Sequence, residues 1–333
     1  MPSIDDLIFL PYSSDLNLAG IAYACRSLPY TYDRVGGTRA ERLRRIVAGI
    51  AVELAFRRHL DTKNIPYDLL GATPFTQPDR YDLALGGRRC DIKSYIIHQR
   101  DHIRQIRRNP EVVLNASALV PVDQISSDKL GDEDIYVFVF LTALVTPNLA
   151  TLEKAIQAEQ PIYLLHHLPE KWSRPASWVS LDPLILKGNV SFNVRLELGG
   201  QDVKRKFQIY KLELPPLRRM VIESGFFSLT YVHISHLPDG TVGVHSPVLG
   251  ETVLISRQMW GNLWVYGMEV ILVGYLPQGE FRRKATYLPE GSRVFQYRRT
   301  RTANLALPMS ELRPISDLFA RVKSWAERGQ RSI

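Results

Sequence analysis

Residues 80–97 have the sequence RYDLALGGRRCDIKSYII, and this stretch decides the fold. Apolar residues alternate with polar ones before and after Gly86-Gly87, the pattern of two half-buried β-strands. Consecutive glycines accept the positive φ angles of a two-residue hairpin turn. With these glycines as the loop, Asp82 of the first strand lies opposite Asp91 of the second. The sequence therefore predicts a β-hairpin that sets a pair of carboxylates side by side.

Lys93 joins this pair, because strand side chains alternate and Lys93 therefore projects from the same face as Asp91. Directly opposed Cβ atoms are about 4.5–5.5 Å apart, and like charges at that distance destabilise a sheet. A divalent cation removes the conflict, and oxygen ligands suit Mg²⁺, for which Mn²⁺ can substitute. We therefore expect Asp82 and Asp91 to bind Mg²⁺ beside a substrate phosphate, and Lys93 to orient or deprotonate the attacking water.

The helix predicted before this hairpin carries another acid. Residues 38–60 have apolar side chains at helical spacing, and Thr38 is a suitable N-cap. Glu53 lies near the edge of the apolar stripe, one turn after Ile50. It either points inward, where it completes the catalytic and metal-binding cluster, or stays in solvent as a surface glutamate.

Three segments resemble the motifs of the PD-(D/E)xK nuclease superfamily: GIAVELAFRRHL with Glu53, RYDLAL with Asp82, and CDIKSY with Asp91 and Lys93. The resemblance covers about residues 40–165, judged by the order of elements. It implies a mixed sheet flanked by helices. It also implies that Asp82, Asp91 and Lys93 bind Mg²⁺ and hydrolyse phosphodiesters.

A different acid competes with Asp82 for the first position of this motif. The dipeptide Pro78-Asp79 also precedes the segment CDIKSY. If the hairpin pairing is extended, Asp79 lies opposite Ser94, on the other face from Asp91, unless a bulge intervenes. Hairpin geometry therefore favours Asp82.

The resemblance implies an α/β fold with a restriction-endonuclease-like mixed sheet flanked by helices, and the remaining pattern predicts a β-rich C-terminal domain after it. Alternating strands dominate after a Pro-containing segment at residues 168–183, and Gly199-Gly200 is predicted as another hairpin turn. We therefore expect a nuclease-like domain at residues 1–180, and a β-rich domain with a DNA-binding or specificity role at 181–333. The elements predicted after the hairpin are a basic helix at 99–108, a strand at 135–144, a helix at 148–159 and strands at 162–165 and 263–274.

The formal net charge of +8 favours a polyanionic partner such as DNA. The arginines of the predicted helix at 99–108 fall on one helical face, which we expect to lie beside the cleaved phosphate. A further basic stretch, residues 281–301, has seven positive residues against one acid. Its aromatic residues Tyr287, Phe295 and Tyr297 either stack on bases or pack inward. The predicted nucleic-acid-binding residues are Arg100, Arg104, Arg107, Arg108, Arg282, Arg283, Lys284, Arg298, Arg299 and Arg301.

Composition favours a cytoplasmic protein without a membrane partner. Cys25 and Cys90 are the only cysteines, so no disulfide framework is expected. The N-terminus carries Asp5 and Asp6 where a secretory signal has basic residues. The longest apolar run, residues 135–146, is shorter than the roughly 20 residues needed to cross a bilayer.

Together these features predict a metal-dependent endonuclease that acts on DNA, in restriction, phage defence, transposition or repair. The alternatives are a catalytically inactive nucleic-acid-binding or interaction module with the same fold, and a nuclease that acts on RNA. Cleavage of a duplex by a single active site usually takes two copies, so we expect a homodimer or a partner subunit.

Overall fold

Both helices and strands are present in a computed structural model that describes residues 2–30, 37–69, 82–127 and 131–330. The predicted α/β class is confirmed, since the described strands form several sheets with helices between them. None of the described helices is long and apolar enough to cross a membrane. The helices are α1 (Ser14–Ser27), α2 (Arg39–Thr62), α3 (Arg100–Arg108), α4 (Val122–Ser127), α5 (Leu149–Gln157), α6 (Glu170–Ser173), α7 (Gln278–Lys284) and α8 (Ile315–Gln330). The strands are β1 (Ile8–Pro11), β2 (Leu83–Leu85), β3 (Arg88–Ile97), β4 (Ser117–Pro121), β5 (Ile135–Leu144), β6 (Leu164–His167), β7 (Leu184–Asn189), β8 (Val194–Gln201), β9 (Phe207–Leu214), β10 (Arg219–Ile222), β11 (Ser228–Ile234), β12 (Thr241–Ser246), β13 (Glu251–Ile255), β14 (Gly261–Asn262), β15 (Tyr266–Pro277), β16 (Thr286–Leu288) and β17 (Asn304–Pro308).

The central sheet has the strand order β1-β15-β5-β3-β2. β3 and β5 are parallel, so the chain crosses from the end of β3 back to the start of β5, and α3 and β4 lie in this crossover. On its other side β5 pairs with β15, which runs antiparallel to it and pairs in turn with β1. β5 is apolar and buried along nearly its whole length, as expected for a strand in the middle of a covered sheet.

The predicted division at residue 180 is crossed by strand pairing in three of the sheets, including the pairing of β4 with β17. β15 falls in the predicted β-rich domain, yet it pairs with β5 in the central sheet. β6 falls in the predicted nuclease-like domain, yet it pairs with β11 and β14. β15 pairs with β5 because it has a continuous run of buried residues, which requires a position in the interior of a sheet. Residue 180 therefore does not separate the sheets.

The two faces of the central sheet pack against different layers. Cys90 and Ile92 of β3 join a core formed with α1, α2 and α8. Tyr95 of β3 belongs to another core, formed with α3, β4 and α7. Because side chains alternate along β3, Asp91 and Lys93 project toward the α3 and α7 side. α2 lies on the opposite face.

Two further sheets, β10-β7-β12-β13 and β14-β6-β11-β8-β9, share an apolar core of their own, while the small sheet β16-β17-β4 contributes to the α3 and α7 side of the central sheet. The prediction of a turn at Gly199-Gly200 is wrong, because both glycines lie inside β8. The chain reverses at residues 202–206 instead, where the Asp202 N–H donates to the Lys206 carbonyl at 3.0 Å. Gly199 is required by packing, since a Cβ there would lie 2.1 Å from Cε1 of Tyr231.

Gly86 and Gly87 form the hairpin turn, with φ angles of 55° and 79°. Trp325 of α8 covers this turn. A Cβ at Gly86 would lie 2.9 Å from the Cβ of Trp325, whereas a Cβ at Gly87 would meet nothing within 4 Å. The register confirms the predicted pairing for Leu85 with Arg88, Ala84 with Arg89, and Leu83 with Cys90.

Gly86→Ala is expected to lower the free energy of unfolding by about 2–3 kcal/mol, and Gly87→Ala by only about 1 kcal/mol. Both alanines are strained at a positive φ, but only the first also collides with the Trp325 side chain. Urea unfolding of the two variants beside the wild type measures the difference. Equal losses would show that α8 does not press on the turn.

Candidate active site

Lys93 and Asp91 form an ion pair on the α3 and α7 side of the central sheet. Their side chains are only 12% and 17% exposed, and the Lys93 Nζ lies 2.5 Å from the Asp91 Oδ2. The same Nζ donates to Oε1 of Gln124 at 2.8 Å and lies 5.3 Å from the centre of the Tyr136 ring. Burial strengthens these contacts, because little water screens the charges. The structure thus brings together an acid and the lysine of the predicted site.

Asp82 leaves the hairpin ladder next to the paired segment. Its backbone N–H donates to the Cys90 carbonyl at 3.0 Å, and its Oδ2 accepts from the Ile92 N–H at 2.6 Å. In a continued ladder the Ile92 N–H would bond to the backbone of the opposite strand, so the carboxylate replaces that strand at the sheet edge. The predicted face-to-face pairing of Asp82 with Asp91 is therefore not formed. The alternative acid, Asp79, lies outside the described residues.

The Asp82 carboxyl lies at this edge among other acids. Burial raises its pKa well above the usual range, and the charges of Asp91 and Glu53 raise it further. The Ile92 N–H and the charge of Lys93 act in the opposite direction. The edge position explains why both acids affect the pKa of Asp82. Asp91 projects from one face of the sheet, and α2, which carries Glu53, packs on the other face.

Glu53 is not a solvated surface residue. Its side chain is 17% exposed, and its Oε1 lies 3.5 Å from Nη1 of Arg57, one helical turn later. The helix that carries it is confirmed, including the predicted N-cap, since the Thr38 hydroxyl accepts from the Glu41 N–H at 3.2 Å. Glu53 therefore raises the pKa of Asp82 through its charge, while it forms an ion pair with Arg57.

Glu53, Asp82 and Asp91 offer the hard oxygen donors that suit Mg²⁺. Within the described ranges, no three His, Cys, Asp or Glu side chains are grouped in a way that could hold a metal ion. Asp91 instead contacts Lys93, and Asp82 accepts from the Ile92 N–H. The donors suit the ion by their chemistry, but their side chains are not grouped around one position, and the Lys93 ammonium and a divalent cation would compete for Asp91.

Gln124 is a site residue that the sequence pattern does not reveal. It lies on α4, directly after β4, and its Oε1 accepts the hydrogen bond from Lys93. β4 is held against β3 because the Tyr95 hydroxyl donates to the Leu119 carbonyl at 2.7 Å. This contact between segments that are distant in sequence brings α4 to the lysine. A lone glutamine carries no motif, so only the tertiary structure identifies it.

Gln124→Ala is expected to lower the rate of DNA cleavage by about tenfold, because Lys93 loses the acceptor that holds its amine in place. Gln124→Glu keeps an acceptor oxygen and should retain most of the rate. Asp123→Ala, a change at the exposed neighbouring position, is the matched control and should have no effect. Single-turnover cleavage kinetics measure the three rates. Full activity of Gln124→Ala would remove this residue from the site.

The arginine face of α3 lies at the far end of the central sheet from Asp91. Asp91 pairs with Tyr136 near the start of β5, whereas Ile97, the last residue of β3, pairs with Thr142 near its end. Six residue steps of β3 separate these positions, which corresponds to about 20 Å. α3 follows the distal end of β3, so this face does not lie beside Asp91, and its position relative to the cleaved phosphate stays a prediction. Its arginines are exposed, as predicted: Arg100, Arg104, Arg107 and Arg108.

α7 lies at the same end of the central sheet as Asp91. β15 runs antiparallel to β5, so its C-terminal end, and α7 after it, lie beside the start of β5. The Phe281 ring of α7 lies 5.5 Å from the Tyr136 ring, and the Lys93 Nζ lies 5.3 Å from the centre of the same Tyr136 ring. The basic residues of α7 are Arg282, 3.6 Å from Asp132, Lys284, 2.9 Å from Glu280, and the exposed Arg283.

The remaining basic residues of the predicted set follow α7 in the segment between β16 and β17. Arg298, Arg299 and Arg301 are all exposed there. The aromatic residues of this segment divide into two groups. Phe295 and Tyr297 pack inward against the α3 and α7 side of the sheet, whereas Tyr287 is 65% exposed. The open choice between base stacking and inward packing is thus resolved as inward packing for Phe295 and Tyr297.

Comparison with known proteins returned no match to any family model, any curated protein or any solved structure. The resemblance to the PD-(D/E)xK superfamily therefore rests on this chain's own residues. These are the acids at the hairpin edge, Lys93 beside Asp91, and the helix that carries Glu53.

Proposed function

We propose that this protein is a Mg²⁺-dependent endonuclease that hydrolyses phosphodiester bonds of DNA. We further propose that α2, β2, β3, α3 and β5 form a restriction-endonuclease-like core. The observation that carries the proposal is the position of Lys93, whose amine contacts Asp91 while the charges of Asp91 and Glu53 act on Asp82. Each of these charged side chains loses hydration where it is buried, which costs free energy. Ionisable groups with a strongly perturbed pKa are concentrated at functional sites.

Asp82, Asp91 and Glu53 are the residues that would hold the metal ion. Burial, and then the charges of Asp91 and Glu53, raise the pKa of Asp82, and a divalent cation would offset the repulsion among these carboxylates. When bound, Mg²⁺ polarises a phosphoryl oxygen and lowers the pKa of a coordinated water. Mn²⁺ is expected to substitute, because it prefers the same oxygen ligands.

Lys93 supplies the positive charge that the protein itself contributes. Its amine donates to Gln124 and Asp91, so it is held in a fixed direction before substrate arrives. A fixed cation beside the scissile phosphate stabilises the charge that develops on the phosphoryl oxygens and orients an attacking water. The flat ring of Tyr136 lies beneath the amine and limits its motion.

DNA is the proposed substrate because exposed arginines lie on the same side of the sheet as Lys93. α7 carries Arg282, Arg283 and Lys284 beside the acidic cluster, where they would contact phosphates next to the cleaved bond. A homodimer or a partner subunit would supply the second cut of a duplex. Restriction, phage defence, transposition and repair all require such an activity.

Incubation with supercoiled plasmid tests this function. We expect nicked and linear products with Mg²⁺ or Mn²⁺ and none with EDTA, because the carboxylates need the cation. The same assay with single-stranded RNA separates the DNA and RNA activities. Cleavage that persists in EDTA, or a preference for RNA, would contradict the proposal, and complete inactivity with retained DNA binding would favour an inactive binding module.

A further inference from the structure

The two basic segments of the chain, distant in sequence, meet in the folded protein. His102 of α3 stacks on Phe295, with ring centres 4.9 Å apart and planes at 13°. Phe295 also lies 6.4 Å from the Phe140 ring of β5, which fixes it to the central sheet. The loop that carries Phe295 is closed by paired backbone hydrogen bonds between Val294 and Tyr297, each 3.2 Å. α3 and this loop are therefore joined through a shared aromatic contact.

Both segments that make this contact carry exposed arginines. Val294 and Tyr297 are hydrogen-bonded to each other across the loop. Their chain neighbours Arg293 and Arg298 therefore lie at the base of the same turn. Along the outer side of α3, a cavity of about 370 Å³ is lined by Arg104 and Arg108, with Asp101, Gln105, Asn109 and Val112. Asp101 lies 3.5 Å from Arg104, but both side chains are highly exposed and this pair is weak. The exposed arginines of this composite basic surface are Arg100, Arg104, Arg107, Arg108, Arg293, Arg298 and Arg299.

The aromatic residues at this surface favour a duplex over a single strand. Proteins that bind single strands present aromatic rings on which unpaired bases stack. Here the Phe295 ring is covered by His102, and the Tyr297 ring lies 6.3 Å from that of Tyr95 in an edge contact. These rings hold the loop in place and leave guanidinium groups outward, an arrangement that contacts phosphates without reading bases.

The distance of this surface from the acids suits a duplex. β3 spans about 20 Å between Asp91 and α3, and a base pair rises about 3.4 Å, so the two sites would lie roughly six base pairs apart. α7 lies beside the acids, and the loop of Phe295 reaches α3. Basic side chains are therefore present at both ends of this span.

We infer that the composite basic surface binds the sugar-phosphate backbone of duplex DNA, about six base pairs from the bond that is cut. It acts as an anchoring site without sequence preference, distinct from the contacts that α7 makes at the acids. This inference rests on the proposed function for its position relative to cleavage. The binding itself does not require cleavage.

Fluorescence anisotropy in EDTA tests the anchoring site, with a labelled duplex of about 30 base pairs and one of its strands alone, over a range of KCl concentrations. Arg104→Gln removes a charge from α3, and Arg298→Gln removes one from the loop. Arg219→Gln, at an exposed position on β10 in a different sheet, is the matched control. Circular dichroism checks that each variant is folded.

Each of Arg104→Gln and Arg298→Gln is expected to weaken duplex binding several-fold and to reduce the slope of log affinity against log salt by about 0.9, and the double variant by about twice that. Arg219→Gln should match the wild type, and the single strand should bind more weakly than the duplex. Unchanged slopes in both arginine variants, or tighter binding of the single strand, would overturn the inference.

The two proposals fail in different ways. If the wild type does not cut plasmid but loses duplex affinity on Arg104→Gln, the nuclease proposal fails and the anchoring site stands. If the wild type cuts and both arginine variants bind the duplex like the wild type, only the anchoring site fails.

Discussion

Lys93→Ala is expected to lower the rate of DNA cleavage by about a thousand-fold while leaving duplex affinity within about threefold of the wild type. The amine is buried beside Asp91 and held by Gln124, so its loss removes a preorganised charge that no neighbouring water replaces at the same position. The proposed binding of DNA depends mainly on the exposed arginines, which the substitution does not touch. Single-turnover cleavage and anisotropy measure the two quantities.

Lys187→Ala is the control for Lys93→Ala, because Lys187 is exposed on β7 in a different sheet and should not affect cleavage. Lys93→Met keeps the apolar length of the side chain without its charge and should be as inactive as the alanine variant. If Lys93→Ala or Lys93→Met cut within a few-fold of the wild-type rate, Lys93 would have no catalytic role.

Asp82→Asn is expected to abolish metal-dependent cleavage and, in EDTA, to raise the free energy of unfolding by about 1–2 kcal/mol. Asparagine keeps a carbonyl oxygen for the Ile92 N–H and removes a charge that Asp91 and Glu53 repel. The pKa of Asp82 is raised in the folded protein, so the ionised carboxylate opposes folding at neutral pH. As the pH falls and the carboxylate takes up a proton, the difference between the variant and the wild type should shrink.

Urea unfolding at neutral and at acidic pH measures this difference, and thermal unfolding with and without Mg²⁺ adds a metal readout that does not depend on activity. Mg²⁺ should raise the melting temperature of the wild type more than that of Asp82→Asn, because a ligand stabilises the state that binds it. Asp123→Asn, at an exposed position, is the control. A variant less stable than the wild type in EDTA would contradict the crowding of charges at the sheet edge.

The local part of this fold could be predicted from the sequence, because it depends on neighbouring residues. Gly86-Gly87 sets the register from Leu85–Arg88 to Leu83–Cys90, and Thr38 starts α2. The position of Asp82 could not be predicted in the same way. Its carboxylate replaces a backbone partner for Ile92, and the end of a ladder depends on where the neighbouring strand stops.

Features that depend on tertiary contacts could not be predicted from the sequence pattern. Gly199-Gly200 has the same composition as the hairpin turn, yet it lies inside β8 because the Tyr231 ring requires the space of a missing side chain. The relative positions of α3 and α7 depend on the directions of β3 and β15, which no local pattern encodes. Gln124 is identified as a site residue only by its hydrogen bond to Lys93.

The placement of β15 between β1 and β5 has a consequence for how this chain is made and handled. During translation, β5 is synthesised long before β15, which completes its hydrogen bonding. One edge of β5 therefore stays unpaired until residues 266–277 have been made. A gene fragment that stops shortly after β5 would leave that edge unpaired and deprive β1 of its neighbour. The halves of this polypeptide are therefore expected to reach the native state together, as one cooperative unit.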